Sequence, residues 1–141
     1  MDHNMFCFQC EQTAGCTGCT SRGVCGKDAQ TAQVQDRLTG ALIGLARAAD
    51  TSPDAGPETW QLMIEGLFAT LTNVNFDPDS LNALAGRVRA EKQRLVPDCA
   101  VCTAPCGRTG DYDLAQLWGA QEDIRSLKSL LLFGSRGMAA Y

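Results

Sequence analysis

The residues of this chain that could do chemistry are its cysteines, and they fall into two tight groups. Five lie within the first 25 residues, at Cys7, Cys10, Cys16, Cys19 and Cys25. Three more lie near the other end, at Cys99, Cys102 and Cys106. A disulfide framework would spread its cysteines over the fold that it cross-links. Two separate groups therefore predict two loops, each built around a bound group.

The first group has the spacing C-x2-C-x8-C-x5-C when it is read through Cys7, Cys10, Cys19 and Cys25. Thiolates are soft ligands, and four of them suit either an iron–sulfur cluster or a tetrahedral zinc ion. Zinc sites usually pair two short C-x2-4-C motifs, which the two longer gaps do not supply. A pair formed with Cys16 would supply the second motif, but it would leave Cys25 over. The spacing therefore favours iron–sulfur and leaves zinc as the alternative.

Glycines and nearby cations in the same loop also favour an iron–sulfur cluster. Residues 6–27 have no helical or strand period and contain glycines at 15, 18, 23 and 26, which favour positive φ angles and close backbone approach. Exposed backbone N–H groups can donate to cluster sulfurs, and Arg22 and Lys27 would offset the negative charge of a cluster. Unligated thiols in this number would be open to oxidation.

The second group has the order C-x2-C-x3-C and lacks a fourth ligand of its own. Cys16 is left over from the first group, so we hypothesise that Cys16, Cys99, Cys102 and Cys106 share a second cluster. The alternatives are a zinc site, a reversible disulfide that makes this loop a redox sensor, or thiols with no shared ligand. Iron analysis after anaerobic purification tests the second-cluster hypothesis, because one cluster gives about four iron atoms per chain and two give about eight.

Composition excludes several classes of protein. The 141 residues carry a net charge of −4 and a pI near 4.8, which argues against nucleic-acid binding. The one histidine, His3, lies near the terminus, so His-based triads and multi-His metal sites are not expected. No apolar run reaches the length of a membrane span, and the N-terminus lacks the features of a signal peptide. We therefore expect a cytoplasmic protein, in which cysteines are kept as thiols.

The rest of the sequence predicts an all-α fold that holds the two cysteine-rich loops. We expect one domain, with a cysteine loop over 1–27 and a helical bundle over 28–141 that includes a second cysteine loop at about 96–110. Asp28 is a predicted N-cap, Pro57 and Pro78 suit first helical positions, and a last helix begins near Gln121 without a clear stop signal, as if the chain once continued.

Helical periodicity gives three further expectations. Trp60 and Phe68 fall on one apolar face with Ile64 and are predicted to lie in the core. The last helix places Ile124, Leu127, Leu131 and Met138 on one side. Asp111 and Asp113 are predicted to cap helices and not to form an acid/base pair.

The motifs around the first four cysteines resemble those of the hybrid cluster proteins, also called prismane proteins or hydroxylamine reductases. The similar segments are 5–14 (MFCFQCEQTA), 17–20 (TGCT) and 23–27 (GVCGK), and then 122–130 (EDIRSLKSL) and 137–141 (GMAAY) in the last helix. The resemblance implies that Cys7, Cys10, Cys19 and Cys25 ligate a [4Fe–4S] cluster. Cys16 matches no ligand in that pattern.

The same resemblance limits the expected activity. In the family, the catalytic hybrid cluster takes its His, Glu and Cys ligands from later domains, and this chain has none of those motifs. The resemblance therefore implies the electron-transfer part of the family's function, with a redox partner protein, and no hydroxylamine reduction by this chain alone.

Overall fold

A computed structural model describes residues 5–10, 17–97 and 110–141. Within these ranges five helices follow in order: α1 (Ala29–Thr51), α2 (Pro57–Ala69), α3 (Pro78–Leu95), α4 (Leu114–Trp118) and α5 (Glu122–Ala139). Within these ranges the β structure is limited to one isolated antiparallel bridge, between Cys7 and Cys19. The predicted all-α fold is confirmed. No helix among the described residues is long and apolar enough to cross a membrane.

The helix starts follow the predicted caps. The carboxylate of Asp28 accepts a hydrogen bond from the Thr31 amide at 2.8 Å and opens α1. Pro57 and Pro78 are the first residues of α2 and α3. Asp113 caps α4, as expected, whereas Asp111 caps no helix and pairs instead with Arg89 and Lys92 of α3. The prediction for Asp111 is wrong because two cations on α3 face it.

The apolar core lies between α1, α2 and α3. Its fully buried members include Leu38 and Leu45 of α1 and Leu81 and Val88 of α3. At Gly40 the backbone of α1 meets the segment before α4, and the Gly40 carbonyl accepts a hydrogen bond from the Tyr112 amide at 3.0 Å. A Cβ atom at position 40 would lie 2.2 Å from the Tyr112 carbonyl oxygen, so only glycine allows this approach.

The aromatic side chains of α2 do not enter this core, which corrects the prediction for Trp60 and Phe68. Trp60 is 48% exposed and Phe68 is 44% exposed. The helix instead buries Leu62, Gly66 and Ala69. A Cβ atom at Gly66 would lie 2.6 Å from the Leu42 side chain, so this glycine lets α2 pack close to α1, while Trp60 and Phe68 lie on the exposed side of the helix.

Helix α5 reverses the usual distribution of polar and apolar side chains. Its fully buried residues are Ser129 and Arg136. The predicted row of Ile124, Leu127, Leu131 and Met138 does share one side of the helix, but that side faces outward, and Leu131 is 73% exposed. We call these four residues the outer row of α5. The one large side chain that α5 buries fully is therefore a charged one, Arg136.

Candidate metal centre

Two short segments are joined so that the first three predicted ligands come together. The amide of Cys7 donates to the Cys19 carbonyl at 2.9 Å, and the amide of Cys19 donates to the Cys7 carbonyl at the same distance. This bridge sets the segment that carries Cys7 and Cys10 beside the segment that carries Cys19. Gly18 has a φ of +128°, and a Cβ atom there would lie 2.5 Å from the Phe6 ring, so a glycine is required where the two segments meet.

The fourth predicted ligand is supplied by a tight turn just before α1. The Gly23 amide donates to the Lys27 carbonyl and the Gly26 amide donates to the Gly23 carbonyl, both at 2.8 Å. A Cβ atom at Gly23 would lie 3.0 Å from the Cys25 sulfur. The absence of a side chain at Gly23 therefore leaves room for the Cys25 thiol.

All four predicted ligands line one enclosed cavity: Cys7, Cys10, Cys19 and Cys25. Each is a free thiol, with Cys7 and Cys19 buried and the other two partly buried. Among the described residues, no three His, Cys, Asp or Glu side chains converge as they would around a single metal ion. The four thiols thus line one shared space. That they are ligands remains a prediction.

Of the two cations expected at this site, the structure brings Lys27 to it. Lys27 is only 3% exposed, and its Nζ donates to the Cys7 sulfur at 3.9 Å and to the side-chain oxygen of Gln35. Burial raises the pKa of the Cys7 thiol, and the Lys27 charge opposes that rise. Arg22 is exposed and does not line the cavity. Its charge instead helps to lower the pKa of Asp28.

A second buried cation, Arg136 of α5, lies behind the C-x2-C turn and was missed by the sequence analysis. Its guanidinium donates to the Gln9 carbonyl, to Thr70 Oγ1 and to Thr39 Oγ1, each at 2.9 Å, and also to the Gln9 side-chain oxygen. A signal was present: the residues three and four positions away on either side are Leu132, Phe133, Ala139 and Ala140. A lone arginine among apolar helix neighbours has no local partner and has to find one elsewhere.

The amide side chain of Gln9 links Arg136 to a partly buried carboxylate. Its nitrogen donates to Oδ1 of Asp36, a residue of α1. Burial raises the pKa of Asp36 to about 6, against the opposing effects of the Gln9 hydrogen bond and the charges of Lys27 and Arg136. A polar network thus runs from α1 through the cysteine loop to α5.

Aromatic contacts cover the outer side of the first loop. Trp118 of α4 packs edge-on against Phe6 and Phe8, with ring centroids 6.2 and 5.3 Å apart. No pattern in the sequence had indicated an aromatic contact with this loop. Helix α4 therefore contributes directly to the packing around Cys7, which lies between the two phenylalanines.

The second cysteine group cannot be placed in this geometry. Cys16, Cys99, Cys102 and Cys106 lie outside the described residues, and so does His3. The second cluster, the zinc site and the thiol redox switch at this loop all remain predictions.

Comparison with known proteins gives the family. The model of the prismane/CO dehydrogenase family matches residues 5–141. Hydroxylamine reductase from Clostridium perfringens is 39% identical over 159 aligned residues, which include 98% of this chain and 29% of the relative. Hydroxylamine reductases from Kosmotoga olearia and Porphyromonas gingivalis are each 36% identical, over 98% and 100% of this chain and 30% and 29% of their own lengths. The chain spans about 30% of these curated relatives, at their N-terminal end. It belongs to the prismane/CO dehydrogenase family.

Proposed function

We propose that this chain is an electron-transfer module that binds a [4Fe–4S] cluster through Cys7, Cys10, Cys19 and Cys25. The observation that carries the proposal is that these four thiols, which come from three separate backbone segments, line one cavity. The donor set fits the group, because four cysteine thiolates are the usual ligands of such a cluster. When bound, the cluster supplies one-electron transfer.

The protein's part is to deliver thiolates and to balance their charge. Ligation needs deprotonated sulfur, and burial makes deprotonation of Cys7 harder. The ammonium group of Lys27, 3.9 Å from that sulfur, favours the thiolate. The side chain of Gln35 fixes this ammonium group, while the Gln35 amide nitrogen donates to the Asn75 carbonyl at 2.9 Å. Lys27 is therefore held in place by a residue of α1.

Zinc remains the competing occupant of the site. A zinc ion with four thiolate ligands is negatively charged, as a cluster with four thiolate ligands is, so nearby buried cations would stabilise either one. The spacing favours the cluster over zinc, because the gaps of eight and five residues do not form paired zinc motifs. The family resemblance adds a second argument, because it assigns this spacing to a [4Fe–4S] cluster.

Metal and sulfide analysis of the full chain, purified without oxygen, tests the proposal. We expect about four iron and four sulfide per chain, brown colour and an EPR signal on reduction, or about eight of each if a second cluster is present. Cys10→Ser should lower the iron content by about four atoms per chain. Cys16→Ser is the comparison, because Cys16 matches no ligand in the family pattern: it should keep the four iron atoms of the first site, whether the wild-type total is four or eight.

The proposal fails if Cys10→Ser keeps the wild-type iron content and visible absorption. It also fails if the wild-type chain is colourless and binds one zinc ion through the four thiols. The first result would remove Cys10 from the ligand set, and the second would make the first loop part of a zinc-stabilised interaction module.

The relation to hydroxylamine reduction is part of the same proposal. The resemblance assigns the family's catalytic ligands to later domains, and the chain spans about 30% of the curated hydroxylamine reductases. We therefore propose that it relays electrons to or from a redox partner protein. Hydroxylamine consumption by the loaded chain alone, with a chemical reductant, should not exceed the rate of the reductant without protein.

A further inference from the structure

The guanidinium of Arg136 is an unusually costly group to bury, and the fold buries it beside the cysteine loop. The residue is 2% exposed. Among the described residues, no carboxylate forms an ion pair with it; Asp36 is linked to it by hydrogen bonds through the side chain of Gln9 and attracts it electrostatically. A buried charge without a direct partner destabilises a fold unless it has dense hydrogen bonding or a use. Burial lowers the pKa of Arg136 to about 10, so the group is still charged at neutral pH.

The contacts of Arg136 converge on the turn between the first two cysteines. Gln9 is the residue before Cys10 and two after Cys7, and Arg136 binds both its backbone carbonyl and its side-chain oxygen. Thr39 and Thr70 hold the other edges of the guanidinium, on α1 and at the end of α2. Four donors from one rigid, planar group thus fix the turn against three helices.

The position of the charge has an electrostatic consequence as well. The thiols of Cys7 and Cys10 both act on Arg136 as nearby negative charges when they are ionised. A fixed positive charge in a region of low dielectric favours the more negative, reduced state of any redox group that these thiols bind.

We propose that Arg136 is a positioning residue for the cysteine loop, and that its buried charge raises the reduction potential of the bound group. The inference rests on the proposed function, because it takes Cys7 and Cys10 to be cluster ligands. It assigns a role to a residue 111 positions after the last of the four cysteines, in a helix that contributes no ligand to the first site.

Three substitutions in the full chain separate charge from geometry. Arg136→Met removes the charge, and Arg136→Lys keeps it but cannot make all four hydrogen bonds. Lys128→Met is the control, since it removes a positive charge from an exposed position on the same helix. For Arg136→Met we expect the cluster's reduction equilibrium constant to fall about tenfold, which is about 59 mV for one electron. Arg136→Lys keeps the charge, so its reduction potential should stay close to that of wild type. Lys128→Met should also change the potential only a little.

Positioning is tested by cluster retention and by the metal-free chain. Arg136→Lys should lose iron to a chelator about tenfold faster than wild type, and hydrogen exchange at residues 7–10 should be faster in its metal-free form. If Arg136→Met does not fold, Arg136→Lys still tests the positioning role through these two measurements, and neutralisation by Arg136→Gln tests the charge.

Each outcome decides the inference. Equal potentials in wild type and in a loaded, charge-neutral variant would overturn the charge role, and wild-type iron release and exchange in Arg136→Lys would overturn the positioning role. If the wild-type chain itself binds no iron and sulfide, the proposed function fails first. Faster hydrogen exchange at residues 7–10 in metal-free Arg136→Lys would then still support the role of Arg136 in fixing the turn that carries Gln9.

Discussion

Substitution of Asp36 by asparagine should stabilise the metal-free chain at neutral pH. The pKa of this carboxyl is raised from 3.8 to about 6, chiefly because the folded chain buries it. Between these two values the folded state binds more protons than the unfolded state, so stability falls as pH rises. Below pH 3.8 both states are protonated and the effect vanishes.

The magnitude follows from the difference between the two pKa values. A shift of about two units corresponds to about 3 kcal/mol, the full cost of ionising Asp36 in the folded chain at pH 7. Asparagine resembles the protonated acid in shape and can still accept the hydrogen bond from the Gln9 amide. Asp36→Asn should therefore match wild type near pH 4 and exceed it by up to about 3 kcal/mol at pH 7.

Urea unfolding of the reduced, metal-free chain between pH 4 and pH 8 measures this difference. Asp50→Asn removes a negative charge from an exposed position on the same helix and separates the effect of net charge from the effect of burial. If Asp36→Asn is less stable than wild type at pH 7, the ionised carboxylate is a net stabilising partner of Lys27 and Arg136. The reasoning from burial would then be refuted.

Two further predictions concern the bundle. Gly40→Ala should lower the free energy of unfolding by about 3 kcal/mol, because its Cβ would lie 2.2 Å from the Tyr112 carbonyl oxygen. Gly86 of α3 has open space around it, so Gly86→Ala should raise the free energy of unfolding by up to about 1 kcal/mol. Urea titration of both variants measures the two changes. Glu91, whose pKa the Arg94 hydrogen bond lowers to about 2, should contribute about 1 kcal/mol at pH 7 after allowance for solvent around Arg94. That contribution should decline as pH falls from 4.5 toward 2, and Glu91→Gln should lack the decline in acid unfolding.

The parts of this fold that local chemistry determines were accessible from the sequence. Asp28 and Pro78 mark helix starts because caps and first-turn prolines act within a few residues. Lys27 was identified as a cation of the site because it lies two positions after Cys25 in the chain. The four cysteines were grouped by spacing, and the structure places them around one cavity.

The parts that depend on distant contacts were not accessible. An apolar period gives the face of a helix but not what that face meets, so Trp60 and Phe68 were assigned to a core that Leu62 and Gly66 occupy. The role of Arg136 depends on Gln9, which is 127 positions earlier in the chain. No local pattern could join those two residues.

The reversed polarity of α5 has a consequence for how the molecule responds to temperature. Apolar burial carries a large heat-capacity change and weakens on cooling, and it dominates where α1 meets α3. Helix α5 leaves its outer row exposed and buries the charged Arg136 fully, so its docking should carry a smaller heat-capacity term than the α1–α3 contact. Cooling should therefore weaken the three-helix core more than the attachment of α5. The three-helix core and the docking of α5 should therefore reach their greatest stability at different temperatures.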